Sequence, residues 1–239
     1  LSGAGVAFYL AAALDGCSPE EMLPFYGDLA AIGAIADIMP LVGQNRRIVR
    51  AGLALLQNCE RPGLAALIES CGLAGKPLTA ENVSFGIAPR LNAAGRMDNA
   101  TAALELLLCE DPEEAVDLAA DLEAKNAARQ KTEQDILASV LEDIGYSTDR
   151  ILVVSGRGYH PGVIGIVASR VVERFGKPAI IISIDETGEG RGSGRSIAGI
   201  SLYNAIAACA PLLIRFGGHA LAAGLSVREE QVPALRRQI

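Results

Sequence analysis

The chain has 239 residues, half of them hydrophobic, which is enough for one large or two small domains with a substantial core. Its net charge of −7 at first argues against a nucleic-acid partner, and an aromatic content of 4% without Trp provides no obvious base-stacking platform. The charge is unevenly distributed, however. Residues 1–149 carry 10 Lys and Arg against 22 Asp and Glu, whereas residues 150–239 carry 11 against 6. An acidic part is therefore joined to a basic part.

The cysteines are odd in number and form no Cys-x-x-Cys pair, which favours reduced thiols in a cytoplasmic protein over a zinc site. No signal peptide is recognisable, and no apolar run reaches the roughly 18 residues that a membrane span needs. The sequence begins with Leu1 and ends at Ile239 within a helical pattern. We therefore expect an excised fragment of a longer protein.

Helix signals dominate the first part of the chain. Ser18-Pro19-Glu20-Glu21 combines a capping serine, a first-turn proline and two carboxylates, which is typical of a helix start. Residues 25–36 continue as a helix that we expect to be largely buried, because most of its side chains are small or apolar.

Asp37 follows this helix as a lone carboxylate in the sequence Ala-Ile-Ala-Asp-Ile-Met-Pro. A buried charge is costly unless it is paired, hydrogen-bonded or bound to a metal. Two interpretations stay open: Asp37 caps a helix end or turn before Pro40, or it ligates a metal ion. Its apolar neighbours predict that it is buried.

A short polar patch lies in apolar surroundings at residues 87–97, where the chain reads Ile-Ala-Pro-Arg-Leu-Asn-Ala-Ala-Gly-Arg-Met. The patch consists of Arg90, Asn92 and Arg96. One interpretation is a loop between helices whose arginines are solvated or pair with acidic neighbours such as Asp98. The other is a contact with a phosphate group.

A long helix is predicted from Pro112 to Ile144, because no Gly or Pro interrupts this stretch. At 1.5 Å per residue it would extend about 50 Å. Its middle is polar on all sides, which is typical of a helix that connects two domains. We therefore expect three regions: residues 1–110, a connector at 111–148 and a second domain at 149–239.

After Gly145 the pattern changes to alternating strands and helices. The run Ile151–Ser155 and the run Ala179–Ile184 read as strands, and Val163 to Phe175 between them reads as a helix. This order predicts a parallel strand–helix–strand unit, whose ligands gather beyond the carboxyl ends of the strands. Further along, residues 202–209 read as a helix and residues 222–227 as another strand.

Three glycine-rich stretches in this second part suggest a ligand rich in phosphate. They are Tyr159–Gly165, Gly190–Ser196 and Phe216–His219, and the only two histidines lie in the first and the last of them. Glycines let a backbone approach a ligand, and arginines and hydroxyls supply donors for a phosphate. We expect Gly190–Ser196 to be a loop after the second strand and the three stretches to converge. The alternative is a flexible, solvated hairpin loop.

The order of these motifs resembles a known family, the DHH phosphoesterases, and within it the RecJ-type single-strand DNA exonucleases. Residues 28–41 resemble the fourth motif of that family, and residues 88–97 resemble a motif of the RecJ branch. Residues 160–170, 192–196 and 217–224 resemble the DHH-associated domain. The resemblance implies an α/β fold: a mostly helical C-terminal part of a DHH domain, a connector helix and a small α/β DHH-associated domain.

The resemblance also implies an activity, namely removal of nucleotides from the 5′ end of single-stranded DNA with two Mn²⁺ or Mg²⁺ ions, in DNA repair and recombination. It implies that Asp37 is a catalytic metal ligand and that the Gly192–Ser196 stretch receives the terminal phosphate. The residues that it implies for substrate binding are Arg90, Asn92, Arg96, His160, Ser169, Arg170, Ser193, Arg195, Ser196, Gly217, Gly218 and His219. Single-strand-binding protein is an implied partner.

The chain departs from the family in one respect, because it contains no Asp-x-Asp and neither histidine follows an Asp. We expect the missing motifs upstream of Leu1, an incomplete two-metal site and a fragment that is inactive alone. Two other functions stay open. One is a DHH phosphodiesterase for short oligonucleotides or cyclic dinucleotides, and the other is a non-catalytic nucleic-acid-binding protein.

Overall fold

The computed structural model describes all residues from Leu1 to Ile239 and divides the chain into two compact units, Leu1–Ala127 and Ala128–Ile239. The helices of the first unit are α1 (Gly3–Leu14), α2 (Pro19–Ala36), α3 (Gly43–Gln57), α4 (Pro62–Ser70), α5 (Ala80–Asn82), α6 (Ala88–Met97) and α7 (Thr101–Leu108), with a π-helical turn at Val83–Ile87 between α5 and α6. None of the helices has the length and apolarity that crossing a membrane requires.

The first unit is built by close helix packing around small residues. The backbones of α2 and α3 approach so closely that a Cβ on Gly52 would lie 2.3 Å from both the Gly27 carbonyl oxygen and the Ala31 Cβ. The core around this crossing contains fully buried large side chains such as Leu56, Leu64 and Leu106. Glycine at position 52 is thus a packing requirement of the unit.

Helix α8 (Pro112–Ile144) has the bounds that the sequence predicts. The division between the two units, at Ala127 and Ala128, falls inside this helix. Leu122 belongs to the core of the first unit, and the buried Ile136, Val140 and Ile144 lie on the part of α8 that belongs to the second unit. The helix therefore contributes side chains to both units.

The second unit is a five-stranded sheet with helices. Its strands are β1 (Leu152–Arg157), β2 (Ala179–Ile184), β3 (Glu189–Arg195), β4 (Leu213–Gly218) and β5 (Ala222–Arg228), and its further helices are α9 (Ile164–Phe175), α10 (Leu202–Ala208) and α11 (Val232–Gln238). The strand order is β1-β2-β3-β5-β4. Only β1 and β2 pair in parallel, and α9 connects them, which confirms the predicted unit. Gly176 ends α9 in a left-handed conformation, which glycine adopts without strain.

The prediction of a loop at Gly190–Ser196 is wrong, because residues 189–195 form β3 near the centre of the sheet. Gly190, Gly192 and Gly194 alternate along one face, where added Cβ atoms would lie 2.6 to 2.9 Å from side chains of the core. On the opposite face stand Arg191, Ser193 and Arg195. The glycines therefore give room to core side chains, including Ile180, Ile182 and Leu202.

Of the two interpretations of residues 87–97, the loop between helices is wrong, since Ala88–Met97 is helix α6. Pro89 stands in its first turn, where a missing N–H costs no helical hydrogen bond. The π-helical turn before it carries Phe85 at the surface, with 78% of its area exposed. Residues 87–97 therefore present their polar side chains from a regular helix.

Candidate nucleic-acid interface

The face of β3, β5 and β4 opposite the glycines is called the arginine face here. Its side chains form rows across the three strands, because directly opposed residues of a sheet point to the same side. The first row contains Arg191, Ser226 and Arg215. The second row contains Ser193, Gly224 and Gly217. Arg195, opposite Ala222, begins a third row.

Ser193 and Arg195 lie against the N-terminus of α9. A Cβ on Gly165, the second residue of α9, would be 3.0 Å from Ser193 Oγ and 3.1 Å from Arg195 Nη2. Arg195 donates from Nη1 to Ser193 Oγ at 3.2 Å and to the Gly194 carbonyl oxygen at 2.9 Å, so its guanidinium is held beside the serine. The first turn of a helix favours anions, although in α9 the N–H groups of Ile164 and Ile166 already donate to the carbonyl oxygens of His160 and Val163. A hydroxyl, a guanidinium and a helix N-terminus thus meet at one place.

His160 shapes the entry into α9. Its carbonyl oxygen accepts hydrogen bonds from the N–H groups of Val163 and Ile164, at 2.9 and 3.2 Å. Its Nδ1 accepts from the Gly162 N–H at 3.1 Å, which leaves Nε2 as the ring donor of the neutral imidazole. Ser169 donates back to the Gly165 carbonyl oxygen at 3.2 Å, one turn along the helix.

His219 follows the end of β4, where Gly217 belongs to the arginine face and Gly218, paired with Ala223, belongs to the opposite face. The Nδ1 atom of His219 accepts from the Leu221 N–H at 3.3 Å, so Nε2 is again the ring donor. Gly218 has a φ of +138°, and an added Cβ would lie 2.4 Å from the Ala222 carbonyl oxygen. Gly217, in contrast, has nothing within 4 Å of an added Cβ.

Two of the three glycine-rich stretches, Gly190–Ser196 and Phe216–His219, are joined at the start of β5, and the first stretch meets β3 at Gly165. The Ser196 N–H donates to the Leu221 carbonyl oxygen at 2.9 Å, and the His219 N–H donates to the Ala222 carbonyl oxygen at 2.8 Å. The Ser196 hydroxyl closes its own turn by donating to the Ile200 carbonyl oxygen at 2.8 Å. The structure therefore gives Ser196 a local role and places Ser193 and Arg195 beside the α9 terminus.

Arg170 is held by carboxylates on two helices. Its guanidinium forms salt bridges with Glu133 of α8 and Glu173 of α9, each at 3.2 Å. Hydrogen bonds to Glu133 first, and to Glu173, raise the pKa of Arg170 above its already high ordinary value. The charge of this arginine is balanced within the unit, which distinguishes it from Arg191 and Arg215.

The sequence-predicted residues of the first unit lie on α6. Arg90 pairs through Nε with Glu123 and donates from Nη1 to the Gly86 carbonyl oxygen at 2.7 Å. Its acidic partner is thus Glu123 of α8, 33 residues away in sequence, and the expected pairing with Asp98 does not describe it. Asn92 and Arg96 are exposed.

The predicted burial of Asp37 is wrong, because this residue is exposed. It is the C-cap of α2, and its backbone N–H donates to the carbonyl oxygens of Gly33 and Ile35. The next residue, Ile38, has a φ of +53° and is 85% exposed, so the chain turns outward as soon as the helix ends. A β-branched residue in this left-handed region is strained, and such strain concentrates at functional sites.

The donor set of this chain does not fit a two-metal centre. Mn²⁺ and Mg²⁺ need several oxygen or imidazole ligands each. The structure brings no group of three or more His, Cys, Asp or Glu side chains into the arrangement that a metal ion requires. Asp37 can offer one carboxylate, which is too few ligands for even one such ion.

Arg215 and Ser226 of the arginine face were missed in the sequence, and Arg191 was noted as an arginine of the Gly190–Ser196 stretch but not included among the substrate-binding residues. The strict alternation in Gly-Arg-Gly-Ser-Gly-Arg was a signal for Arg191, because period two is the pattern of a strand. Nothing local could have indicated Arg215 or Ser226, since the pairing of β5 between β3 and β4 brings them to this face.

The comparison with known families defines the class of the second unit. Residues 148–239 match the DHHA1 domain, which covers the five-stranded sheet and its helices.

Along its whole length the chain is similar to RecJ proteins. It is 44% identical over 242 residues to the single-stranded-DNA-specific exonuclease RecJ of Bacillus subtilis, matching 100% of this chain and 30% of that protein. The RecJ of Thermus thermophilus is 41% identical, matching 100% of this chain and 34% of that protein. The expected resemblance and fold class are thereby confirmed.

Solved structures agree with the sequence comparison. Crystal structures of Thermus thermophilus RecJ in complex with Mn²⁺ and with Mg²⁺ superpose with TM-scores of 0.85 and 0.84 at 39% identity. Each match covers 95% of this chain, and 33% and 35% of those chains respectively. This chain therefore spans about a third of the length of these relatives.

Proposed function

We propose that this chain is the part of a 5′-to-3′ single-strand DNA exonuclease that holds the DNA, within a protein that hydrolyses phosphodiester bonds. The observation that carries the proposal is the cluster of Ser193, Arg195 and the α9 terminus at Gly165. A terminal phosphate has the charge and the acceptor oxygens that this cluster favours. The names of the relatives support single-stranded DNA as the substrate.

The other residues predicted to bind the substrate would contribute to DNA binding in different ways. His160 and His219 would donate from Nε2 to phosphate oxygens, and Gly217 and Gly218 would let the strand approach the backbone. Ser169 and Ser196 would act by shaping the site, because their hydroxyls bond to carbonyl oxygens of the chain. Arg170 would contribute least, since two carboxylates balance its charge.

The first unit would supply a second contact with the DNA. Asn92 and Arg96 are exposed on α6, and Arg90 is anchored by Glu123. In this proposal Asp37 contributes one ligand to a two-metal centre with Mn²⁺ or Mg²⁺, whose other ligands come from outside this chain. The bound ions would activate water and stabilise the charge of the transition state. The expected regions 1–110, 111–148 and 149–239 then correspond to catalytic, connecting and substrate-binding parts.

A role in DNA repair and recombination in the cytoplasm, with single-strand-binding protein as a partner, completes the proposal. The alternative of a phosphodiesterase for short oligonucleotides is not favoured, because the relatives that match the full chain are exonucleases by name. A non-catalytic binding protein is not favoured for the same reason.

Binding of single-stranded DNA is expected to depend on salt. If two or three arginines contact phosphates, log K should fall with log salt at a slope of about −1.4 to −2, so that affinity falls roughly tenfold between 50 and 200 mM. Fluorescence anisotropy of a labelled, 5′-phosphorylated oligonucleotide titrated with the chain measures this. The same oligonucleotide should stay uncleaved in Mn²⁺. Binding that is insensitive to salt, or absent at low salt, would contradict the proposal.

A further inference from the structure

We infer that the arginine face has a second binding site, in the groove between Arg191 and Arg215, for the internal phosphates of a single strand. The inference rests on the proposed function and deepens it, because it concerns phosphates that lie beyond the terminal one. The groove has a volume of about 320 Å³, and its lining includes Arg191, Arg215, Ser226, Gly217 and Gly224.

The first support for a phosphate site is the positive charge of the groove. Arg191 and Arg215 stand in one row with Ser226 between them, so their Cα atoms are separated by two strand spacings, roughly 10 Å. Arg215 donates from Nε to Ser226 Oγ at 3.2 Å and has no carboxylate partner. Two guanidinium groups that face one groove repel each other, and an anion between them would relieve that repulsion.

The nearby carboxylate of Asp185 offsets part of the charge of Arg191. It accepts hydrogen bonds from the Thr187 hydroxyl at 2.6 Å and from the N–H groups of Thr187 and Glu189 at 2.9 and 3.0 Å. These bonds, with a smaller contribution from Arg191, lower the pKa of Asp185 below its usual value. Asp185 therefore stays ionised beside Arg191, and its three bonds, all to Oδ1, hold it in its own turn, whereas Arg215 has no such carboxylate.

The second and stronger support for the inference comes from Gly217 and Gly224, the glycines that form the floor of the groove. A Cβ on Gly217 would meet no atom within 4 Å, and a Cβ on Gly224 would meet only the Gly192 carbonyl oxygen at an ordinary 3.6 Å. Neither residue has a positive φ. Glycine within a strand costs roughly 0.5–1 kcal/mol relative to alanine, and the fold has no need of glycine at either position. Close approach of a ligand to the backbone explains both.

The position of the groove favours a polynucleotide over a small anion. Its floor residues Gly217 and Gly224 stand in the same row of the sheet as Ser193, one strand repeat from Arg195. Arg191 and Arg195 are four residues apart on this strand, a distance of about 14 Å. A strand whose terminal phosphate lies at Arg195 would therefore place phosphates further along its chain over Gly217 and Gly224.

The test compares Arg191→Gln, Arg215→Gln and Gly217→Val with the parent chain. The matched control is Arg237→Gln, which removes the same charge from α11, a helix that packs on the opposite face of the sheet. Each chain is titrated by anisotropy with oligonucleotides of about ten nucleotides, within known single-strand site sizes, carrying a 5′-phosphate or a 5′-hydroxyl. Thermal unfolding of each variant is recorded alongside.

Each groove arginine should contribute about 0.7 to the slope of log K against log salt, so that its replacement reduces the slope by that amount. The loss should be equal for both 5′ ends and absent for a phosphorylated dinucleotide. Gly217→Val should bind several-fold more weakly while unfolding at the same or a higher temperature. Arg237→Gln should bind like the parent.

Two outcomes would overturn the inference in distinguishable ways. If the parent binds in a salt-dependent manner but the groove variants behave like Arg237→Gln, the second site does not exist and the proposed function stands. If the parent shows no salt-dependent binding at all, the proposed function fails and the second site fails with it.

Discussion

Replacement of Gly194 by valine is expected to destabilise the second unit by about 3 kcal/mol or more. Even a single Cβ at this position would lie 2.6 Å from Leu202 Cδ2, 3.1 Å from Ile180 Cγ1 and 3.3 Å from the Ala179 carbonyl oxygen. Two further methyl groups must enter a fully buried layer, and overpacking of a dense core typically costs 1–3 kcal/mol, occasionally more. Urea unfolding followed by circular dichroism measures the change.

Gly217→Val is the matched control for this experiment. It introduces the same side chain into a strand of the same sheet, but at a position with open space around it. It should leave the free energy of unfolding unchanged or raise it slightly, because valine favours strands. If Gly194→Val proved as stable as Gly217→Val, the assignment of the glycines of β3 to the packed face would be wrong.

Arg195→Ala is expected to lower the affinity for a 5′-phosphorylated oligonucleotide by roughly 10- to 100-fold. A hydrogen bond to a charged group contributes about 1.5–3 kcal/mol, and each 1.4 kcal/mol is a factor of ten. The loss should be small for the same oligonucleotide with a 5′-hydroxyl, since Arg195 lies with Ser193 and Gly165 at the α9 terminus. Anisotropy titrations with both oligonucleotides give the ratio of affinities.

The variant Arg195→Lys distinguishes the contribution of the positive charge to phosphate binding from the contribution of the planar guanidinium group. Lysine keeps the positive charge but lacks the planar fork that matches phosphate, so it should recover only part of the loss. Full recovery would mean that Arg195 acts as a point charge. An equal loss for both 5′ ends would place Arg195 on the internal part of the DNA path and contradict its role at the terminal phosphate.

The elements predicted best from sequence are those whose signals are local. Helix α8 was predicted with its bounds, because no Gly or Pro interrupts it between Pro112 and Ile144. The β1-α9-β2 unit was predicted because its apolar strands flank a helix that a glycine ends. These elements also place His160 and Gly165 at the start of α9.

The errors have physical causes that lie outside the local sequence. The glycines of β3 suggested a loop because glycine is rare within strands, but here the bulk of Ile180, Ile182 and Leu202 requires their small size. Asp37 was expected to be buried because its neighbours are apolar. The left-handed Ile38, which turns the chain outward, has no signal in the sequence.

The candidate site could be predicted only in part for a similar reason. Ser193, Arg195 and His219 were found through their motifs, and the structure explains their proximity through the pairing of β3 with β5 and of β5 with β4. The row of Arg191, Ser226 and Arg215 depends on the strand order, in which β5 lies between β3 and β4. Strand order is a tertiary property that no short stretch encodes.

The central claim is that the arginine face of the second unit holds single-stranded DNA by its 5′-phosphate. Amide chemical shifts in ¹H–¹⁵N spectra of the chain, recorded during titration with a 5′-phosphorylated oligonucleotide, test it most directly. We expect the largest shifts at Gly165, Ser193, Arg195 and Gly217. Shifts confined to α10 and α11, which cover the opposite face, or no shifts at all, would contradict it.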